Sequence, residues 1–103
     1  MSEIFYTYLI LTKNDTLYCG YTNDIKQRYY KHLSGTGAKY TKVNKPSRLV
    51  YIESFDSKSN AMKRENEIKK LTRRDKLKIV ELFNRTKNEL YYKALDINKM
   101  YEQ

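Results

Sequence analysis

Residues 4–11, Ile-Phe-Tyr-Thr-Tyr-Leu-Ile-Leu, are apolar or aromatic at nearly every position, which predicts a strand covered on both faces. Asn14-Asp15 supplies turn chemistry, and 16–21 returns as a second strand, so the chain opens with a hairpin. Ile25, Tyr29, His32 and Leu33 then follow a helical period, with Asn23 or Asp24 placed to cap it, which predicts a helix over 24–34. Ser34-Gly35-Thr36-Gly37 ends that helix. Residues 38–47 read as a connection closed by Pro46, and Leu49 to Phe55 alternates well enough for a third strand. Ser57 or Ser59 opens a helix to about Leu71, and the capping-box pattern Thr72-x-x-Asp75 starts another to about Phe83. A further box, Thr86-x-x-Glu89, precedes the stripe Leu90, Ala94, Ile97, Tyr101 and predicts a docked C-terminal helix. The order is two strands, helix, strand, helices. It predicts an α/β chain of the α+β type, a small three-stranded antiparallel sheet flanked by helices.

Length and composition narrow the class. At 103 residues the chain is one domain, and 40% hydrophobic content with three Gly excludes collagen and wholesale disorder. A single cysteine, Cys19, cannot form an intramolecular disulfide or a zinc cluster, and in a strand it reads as a small hydrophobe. No apolar run approaches a membrane span, and residues 1–15 lack the features of a signal peptide. The expectation is a soluble cytoplasmic protein with no membrane partner.

Charge changes the picture more. The formal net charge is +9. Between Ile25 and Ile52 there is no acidic residue, against Lys26, Arg28, Lys31, Lys39, Lys42, Lys45 and Arg48. A basic surface of this size suits a phosphate backbone, which points to DNA or another nucleic acid as partner. Solvated Lys is the bland alternative. Eleven Tyr offer rings for base stacking, although most are expected in the core.

Gly-rich phosphate loops, Cys/His clusters and Gly-x-Ser-x-Gly elbows are absent from the sequence. Met62 and Met100 read as core. Three features resist a purely structural account. Arg28 and His32 are four apart on one helix, beside its apolar face, and in an acid-free segment they look like part of a phosphate site. Glu65 falls within the stripe Ala61, Met62, Glu65, Ile68, Leu71, where a carboxylate needs a compensating cation. A salt bridge to Arg28 or Lys69 and a Mg²⁺ ligand are both open there. The hairpin carries Tyr6, Tyr8, Tyr18 and Tyr21, and Gly20 interrupts the second strand, a mark of close approach by another group such as a nucleic-acid backbone.

Together, Tyr6-Thr7-Tyr8, Tyr18-Cys19-Gly20 and Asn23-Asp24-Ile25-Lys26-Gln27-Arg28 resemble the GIY-YIG nuclease superfamily. The resemblance is closest to its small stand-alone members, through Thr-Leu-Tyr-x-Gly, Arg-x-x-x-His, Gly-x-Gly-Ala-Lys-Tyr-Thr and Lys-Arg-Glu-x-Glu-Ile-Lys-Lys-Leu, and it covers roughly residues 4–83. It implies a GIY-YIG nuclease domain over 1–84 with a C-terminal helical extension over 85–103 packed on it. It also implies a divalent-metal-dependent endonuclease acting on DNA, in DNA repair or recombination. With no helix left over to read a groove, single-stranded or branched DNA is favoured over a long recognition sequence. Tyr8, Tyr18, Arg28, His32 and Glu65 fall on its catalytic positions, with Glu65 on the residue that holds one Mg²⁺ or Mn²⁺ ion. Gly20, Tyr21, Lys26, Lys39, Lys42 and Lys45 are the expected nucleic-acid contacts. Tyr6-Thr7 replaces Gly-Ile, and for the asparagine that supports the site in some larger relatives only Asn84 and Asn88 are candidates. The alternatives are a catalytically weak nucleic-acid-binding module and a nuclease subunit that depends on a protein partner.

Overall fold

The computed structural model describes residues 3–102. In chain order the elements are β1 (Phe5–Thr12), β2 (Leu17–Thr22), α1 (Ile25–Ser34), α2 (Lys39–Val43), β3 (Pro46–Phe55), α3 (Lys58–Lys69), α4 (Arg73–Thr86) and α5 (Glu89–Met100). The sheet has the order β2-β1-β3 and both pairings are antiparallel, so the apolar run of residues 4–11 becomes the central strand. Tyr8 stands opposite Gly20 on β2 and Ile52 on β3. A central strand has neither edge free and neither face bare, which is why its sequence lacks clean alternation.

Alternate side chains of β1 meet different helices. Thr7 donates its hydroxyl to the Ala61 carbonyl (2.7 Å), and Cys19, which faces the same way from β2, reaches the Glu65 carbonyl, so α3 lies on that face. Tyr8 bonds His32, and Tyr6 accepts from Lys93, so α1 and α5 cover the opposite face. The fold is a three-stranded antiparallel sheet with helices on both faces.

Local signals set most boundaries. Asp24 caps α1 by accepting from the Gln27 amide, Ser57 caps α3 through the Asn60 amide, and Thr72 caps α4 through the Asp75 amide. Gly35, at φ +80, ends α1, with its own amide on the His32 carbonyl and the Thr36 amide on the Lys31 carbonyl. The free edge of β3 is closed by one side chain on α5. Asn98 accepts from the Leu49 amide (2.7 Å) and donates to the Leu49 carbonyl (2.9 Å), as a neighbouring strand would.

Four expectations are corrected. Thr86 does not cap the last helix. It is the end of α4, where its hydroxyl bonds the Leu82 carbonyl, and after a left-handed turn at Lys87 it is Asn88 that caps α5 through the Leu90 and Tyr91 amides. The 38–47 connection contains the short helix α2, and β3 begins at Pro46, whose missing N–H is harmless at a strand start. Met62 is exposed because α3 meets the sheet through the buried Ala61 and Ile68, which turns Met62 outward. Met100 is also exposed, as the last residue of α5 and past the last buried turn at Ile97. Residues 1, 2 and 103, the outer ends of the expected 1–84 and 85–103 division, lie outside the described residues.

Candidate functional site

The site grows from the hairpin. Because Tyr8 and Gly20 are register partners, the Tyr8 ring lies across the glycine. A Cβ on Gly20 would come within 2.5 Å of the Tyr8 hydroxyl and 3.2 Å of the Tyr18 ring. The group that this glycine admits is therefore the protein's own phenol. Tyr18 in turn lies between two rings, His32 at 5.1 Å in an edge contact and Tyr40 stacked at 5.8 Å.

Behind Tyr8 runs a chain of hydrogen bonds whose direction can be deduced. The Thr41 hydroxyl donates its one proton to the Ala38 carbonyl (3.0 Å). At 2.6 Å from His32 Nδ1 its oxygen must then accept, which places the ring proton on Nδ1. His32 Nε2 is left bare, and at 2.7 Å it accepts from the Tyr8 hydroxyl. The imidazole is wholly buried, and burial, with the Arg28 charge adding to it, lowers its pKa from 6.5 to about 4. His32 is thus a neutral acceptor at physiological pH. Burial raises the Tyr8 phenol well above its ordinary value, while the Arg28 guanidinium pulls the other way. Gly37 makes room for this imidazole, since a Cβ there would lie 2.7 Å from His32 Nδ1.

In front of Tyr8 is an open cleft of about 370 Å³ lined by Tyr8, Tyr18, Gly20, Tyr21, Arg28 and Glu65, with Lys31 at its rim. Burial works against the Arg28 charge, but the Tyr8 and Tyr18 oxygens outweigh it, and the Arg28 pKa rises. Glu65 arrives from α3, on the opposite face of the sheet from α1, and reaches the same cleft along the edge strand β2. Its side chain is 14% exposed and forms an ion pair with Lys69 at 3.5 Å, one of the two partners the stripe left open.

The description "GIY-YIG catalytic domain" matches residues 4–78, nearly three quarters of the chain. The chain belongs to the GIY-YIG family. Within it, the chain is similar to a UPF0213 protein of Staphylococcus saprophyticus, 52% identical over 75 residues that make up 73% of this chain and 92% of that one. It is 42% identical to a UPF0213 protein of Bacillus velezensis over 86% of this chain and 90% of the relative. A solution NMR structure of a UPF0213 protein from Bacillus halodurans is 46% identical over 77% of this chain and 84% of that one, with a TM-score of 0.51. Another, of an E. faecalis protein, is 35% identical over 82% of this chain and 92% of that one, with a TM-score of 0.55. The GIY-YIG domain is nuclease-like and implies nucleic-acid binding, and its nucleases typically use a divalent metal. Among the described residues no helix is long and apolar enough to cross a membrane.

Of the residues singled out in this GIY-YIG sequence, Tyr8, Tyr18, Arg28 and Glu65 share the cleft, and Gly20 and Tyr21 line it. His32 does not. It sits behind Tyr8, and with Lys42 and Lys45 it lines a separate hollow beside α2. Lys26 and Lys39 line neither. Neither asparagine candidate reaches the cleft, since Asn88 caps α5 and Asn84 is on the far side against Arg48 and Lys87; the asparagine at the cleft is Asn23. Sequence reasoning missed Thr41, Gly37 and Lys31 as parts of the site. The signal for the first two was present in Gly37-Ala38-Lys39-Tyr40-Thr41, a segment whose partner, His32, is close only after folding.

Among the described residues no three His, Cys, Asp or Glu side chains are grouped to hold a metal ion. Glu65 is a single hard oxygen donor beside an open, polar cleft. That donor set fits Mg²⁺ or Mn²⁺, which take one or two carboxylates and fill their shells with water and phosphate oxygens. It does not fit zinc, which needs three or four protein ligands.

Proposed function

We propose that this GIY-YIG protein is an endonuclease that hydrolyses phosphodiester bonds in DNA with one divalent metal ion, single-stranded or branched DNA being favoured. The observation that carries the reading is the convergence of two phenols, a guanidinium and a carboxylate from β1, β2, α1 and α3 on one cleft. Arg28 binds the scissile phosphate through its planar fork and holds the charge that builds on its oxygens. Tyr8 orients the attacking water. Its hydroxyl donates to His32 Nε2 and takes the Arg28 guanidinium on its oxygen, so the two fix the phenol at the cleft, where it accepts a hydrogen bond from the water, whose proton leaves through the open cleft to solvent. The water oxygen bonds phosphorus, one P–O ester bond breaks, and the leaving oxygen takes the pair. Thr41 keeps His32 in the accepting tautomer. Tyr18 is wedged between His32 and Tyr40 and holds the wall of the cleft. Glu65 is the residue that would hold the metal ion, which when bound supplies Lewis-acid stabilisation of the phosphate and leaving oxygens. Lys31, Tyr21 and Gly20 contact the flanking strand, and the exposed Lys26, Lys39, Lys42 and Lys45 add field around it.

The Glu65–Lys69 ion pair favours a second reading, a binding module or partner-dependent subunit in which the carboxylate stays engaged by lysine. One experiment separates them. The protein and Glu65→Gln are incubated with single-stranded, duplex and branched oligonucleotides in Mg²⁺, Mn²⁺ or chelator, and both are melted. The hydrolase reading expects metal-dependent cleavage that Glu65→Gln abolishes. Glu65→Gln keeps the side-chain volume and gives up only the pair with the half-exposed Lys69, so the melting temperature should move little. Binding without cleavage under every condition would overturn the hydrolase and leave the module.

A further inference from the structure

α5 begins beyond residue 78, where the family match ends. Its last turn does more than close the edge of β3. Together with the hairpin, the start of β3 and the end of α1 it walls an open cavity of about 430 Å³, lined by Lys13, Leu33, Arg48, Lys99, Tyr101 and Glu102 among others. Three cations, from the hairpin turn, β3 and α5, stand against one carboxylate there, and among the described residues none of them forms an ion pair. Like charges brought together without partners repel one another, and an anionic ligand is the chemistry that relieves the repulsion.

The cavity adjoins the hollow beside α2. Leu33 lines both it and the hollow that holds Lys42 and Lys45, and the Lys13 amide bonds the Lys45 carbonyl at 2.8 Å. That hollow also contains Gly35, and the Thr36 amide bonds the carbonyl of Lys31, a residue at the rim of the Arg28 cleft. Among the described residues, cations without an ion pair thus line three hollows, Arg28 and Lys31 the cleft, Lys42 and Lys45 the hollow beside α2, and Lys13, Arg48 and Lys99 the cavity at the end of α5. In that cavity's wall Tyr101 packs on Tyr29 and on the half-exposed Tyr30, with ring centroids 6.2 and 5.7 Å away.

We propose that the cavity at the end of α5 binds the flanking part of a single-stranded nucleic acid whose scissile phosphate lies in the Arg28 cleft. Lys13, Arg48 and Lys99 hold its phosphates, and Tyr101 meets a base. The inference rests on the nucleic-acid reading above and deepens it, since an unstacked base is what a tyrosine face recognises. It also gives the tail helix a task that the matched domain lacks.

The test is fluorescence anisotropy with labelled single strands of about 4 and about 16 nucleotides, across a salt series, on the full chain. The variants are Lys13→Gln/Arg48→Gln/Lys99→Gln, a control Lys78→Gln/Arg85→Gln that removes cations already paired to Asp75 and Glu81, and Tyr101→Leu. Each lost phosphate contact on a single strand lowers the log–log salt slope by ~0.7, so the triple variant should lose about 2 on the long strand. On the short strand it should lose almost nothing. Tyr101→Leu should weaken long-strand binding severalfold at unchanged slope, and melting curves identify any unfolded variant. A long-strand slope equal to that of the control would overturn the site, as would an equal loss on both lengths. These readouts do not need turnover. A protein that binds this way and never cleaves keeps the inference and loses the hydrolase; one that cleaves normally with an unchanged slope does the reverse.

Discussion

The basic residues divide into two populations that a net charge of +9 conceals. On α3 and α4 five of the nine are spent on neighbours, with Arg64 on Glu53 and Glu67, Lys69 on Glu65, Lys78 on Asp75, Arg85 on Glu81, and Arg73 reaching back to Asp15, while Lys58, Lys63, Arg74 and Lys76 stay outside these pairs. From α1 to the start of β3 none of the described lysines and arginines forms an ion pair, because that stretch of chain contains no acid and the carboxylates that folding brings near it, Glu65 and Glu102, do not pair with it. Exposed pairs such as those on α4 contribute little stability and little net field. Unpaired cations gathered around a cleft contribute almost only field. Composition counts both alike, and the difference between them separates a solvated helix surface from a candidate phosphate-binding one.

The sharpest way to break this contrast is to make the same conservative change on each side. Arg28→Lys keeps the charge but loses the planar fork, and cleavage should fall by about 10²–10³, the cost of one transition-state donor, with DNA affinity nearly unchanged. Arg64→Lys, on the paired side, should leave the cleavage rate within twofold. Single-turnover assays on the two variants decide; equal effects would dissolve the distinction.

Next in size are the residues that shape the cleft without carrying charge. Gly20→Ala drives a Cβ to 2.5 Å from the Tyr8 hydroxyl and 2.7 Å from its ring carbon. Tyr8 is held in the core, so the protein should lose ~1–3 kcal/mol by chemical denaturation and most of its activity. Thr41→Val, of similar shape, removes the acceptor from the buried His32 Nδ1–H and should cost ~1–3 kcal/mol, with Thr41→Ser restoring both stability and turnover. An unaffected Thr41→Val would mean that water replaces the hydroxyl and that the tautomer does not depend on it.

The pH dependence of stability follows from the same histidine. The His32 pKa falls from 6.5 to about 4 on folding, chiefly through burial, so between those values the unfolded chain binds the extra proton. Stability should therefore be fully present above pH 6.5 and decline as the pH drops toward 4. His32→Gln should flatten that part of the profile, measured by melting across the range. The smallest effect is expected from Lys39→Gln/Lys42→Gln/Lys45→Gln, which should lower the single-strand salt slope by at most about 2 while leaving melting temperature and single-turnover cleavage of bound DNA nearly intact.

Much of this molecule was legible in one dimension. The hairpin, the caps at Asp24, Ser57 and Thr72, and the three-stranded antiparallel sheet follow from neighbours a few residues apart, and local chemistry is what periodicity reads. Tyr8, Tyr18, Arg28 and Glu65 were marked by residue type and spacing, and they do meet at one cleft. Errors arose where one helix has two plausible registers or starts. Met62 and Glu65 lie on almost the same side of α3, and packing on Ala61 and Ile68 decided which was covered. Thr86 and Asn88 both fit a capping position, and the extra turn of α4 made the choice.

What no local pattern held is the line from Tyr8 through His32 to Thr41. His32 looks like a helix-edge residue in sequence, yet it is buried, because Tyr8 from β1 and Thr41 from α2 satisfy both of its nitrogens and Gly37 stands clear of them. Each of those partners is an ordinary residue alone. Residue identity determined which chemistry was available, and only tertiary structure could decide which donors face which acceptors, because a buried hydrogen bond joins groups that the chain keeps far apart.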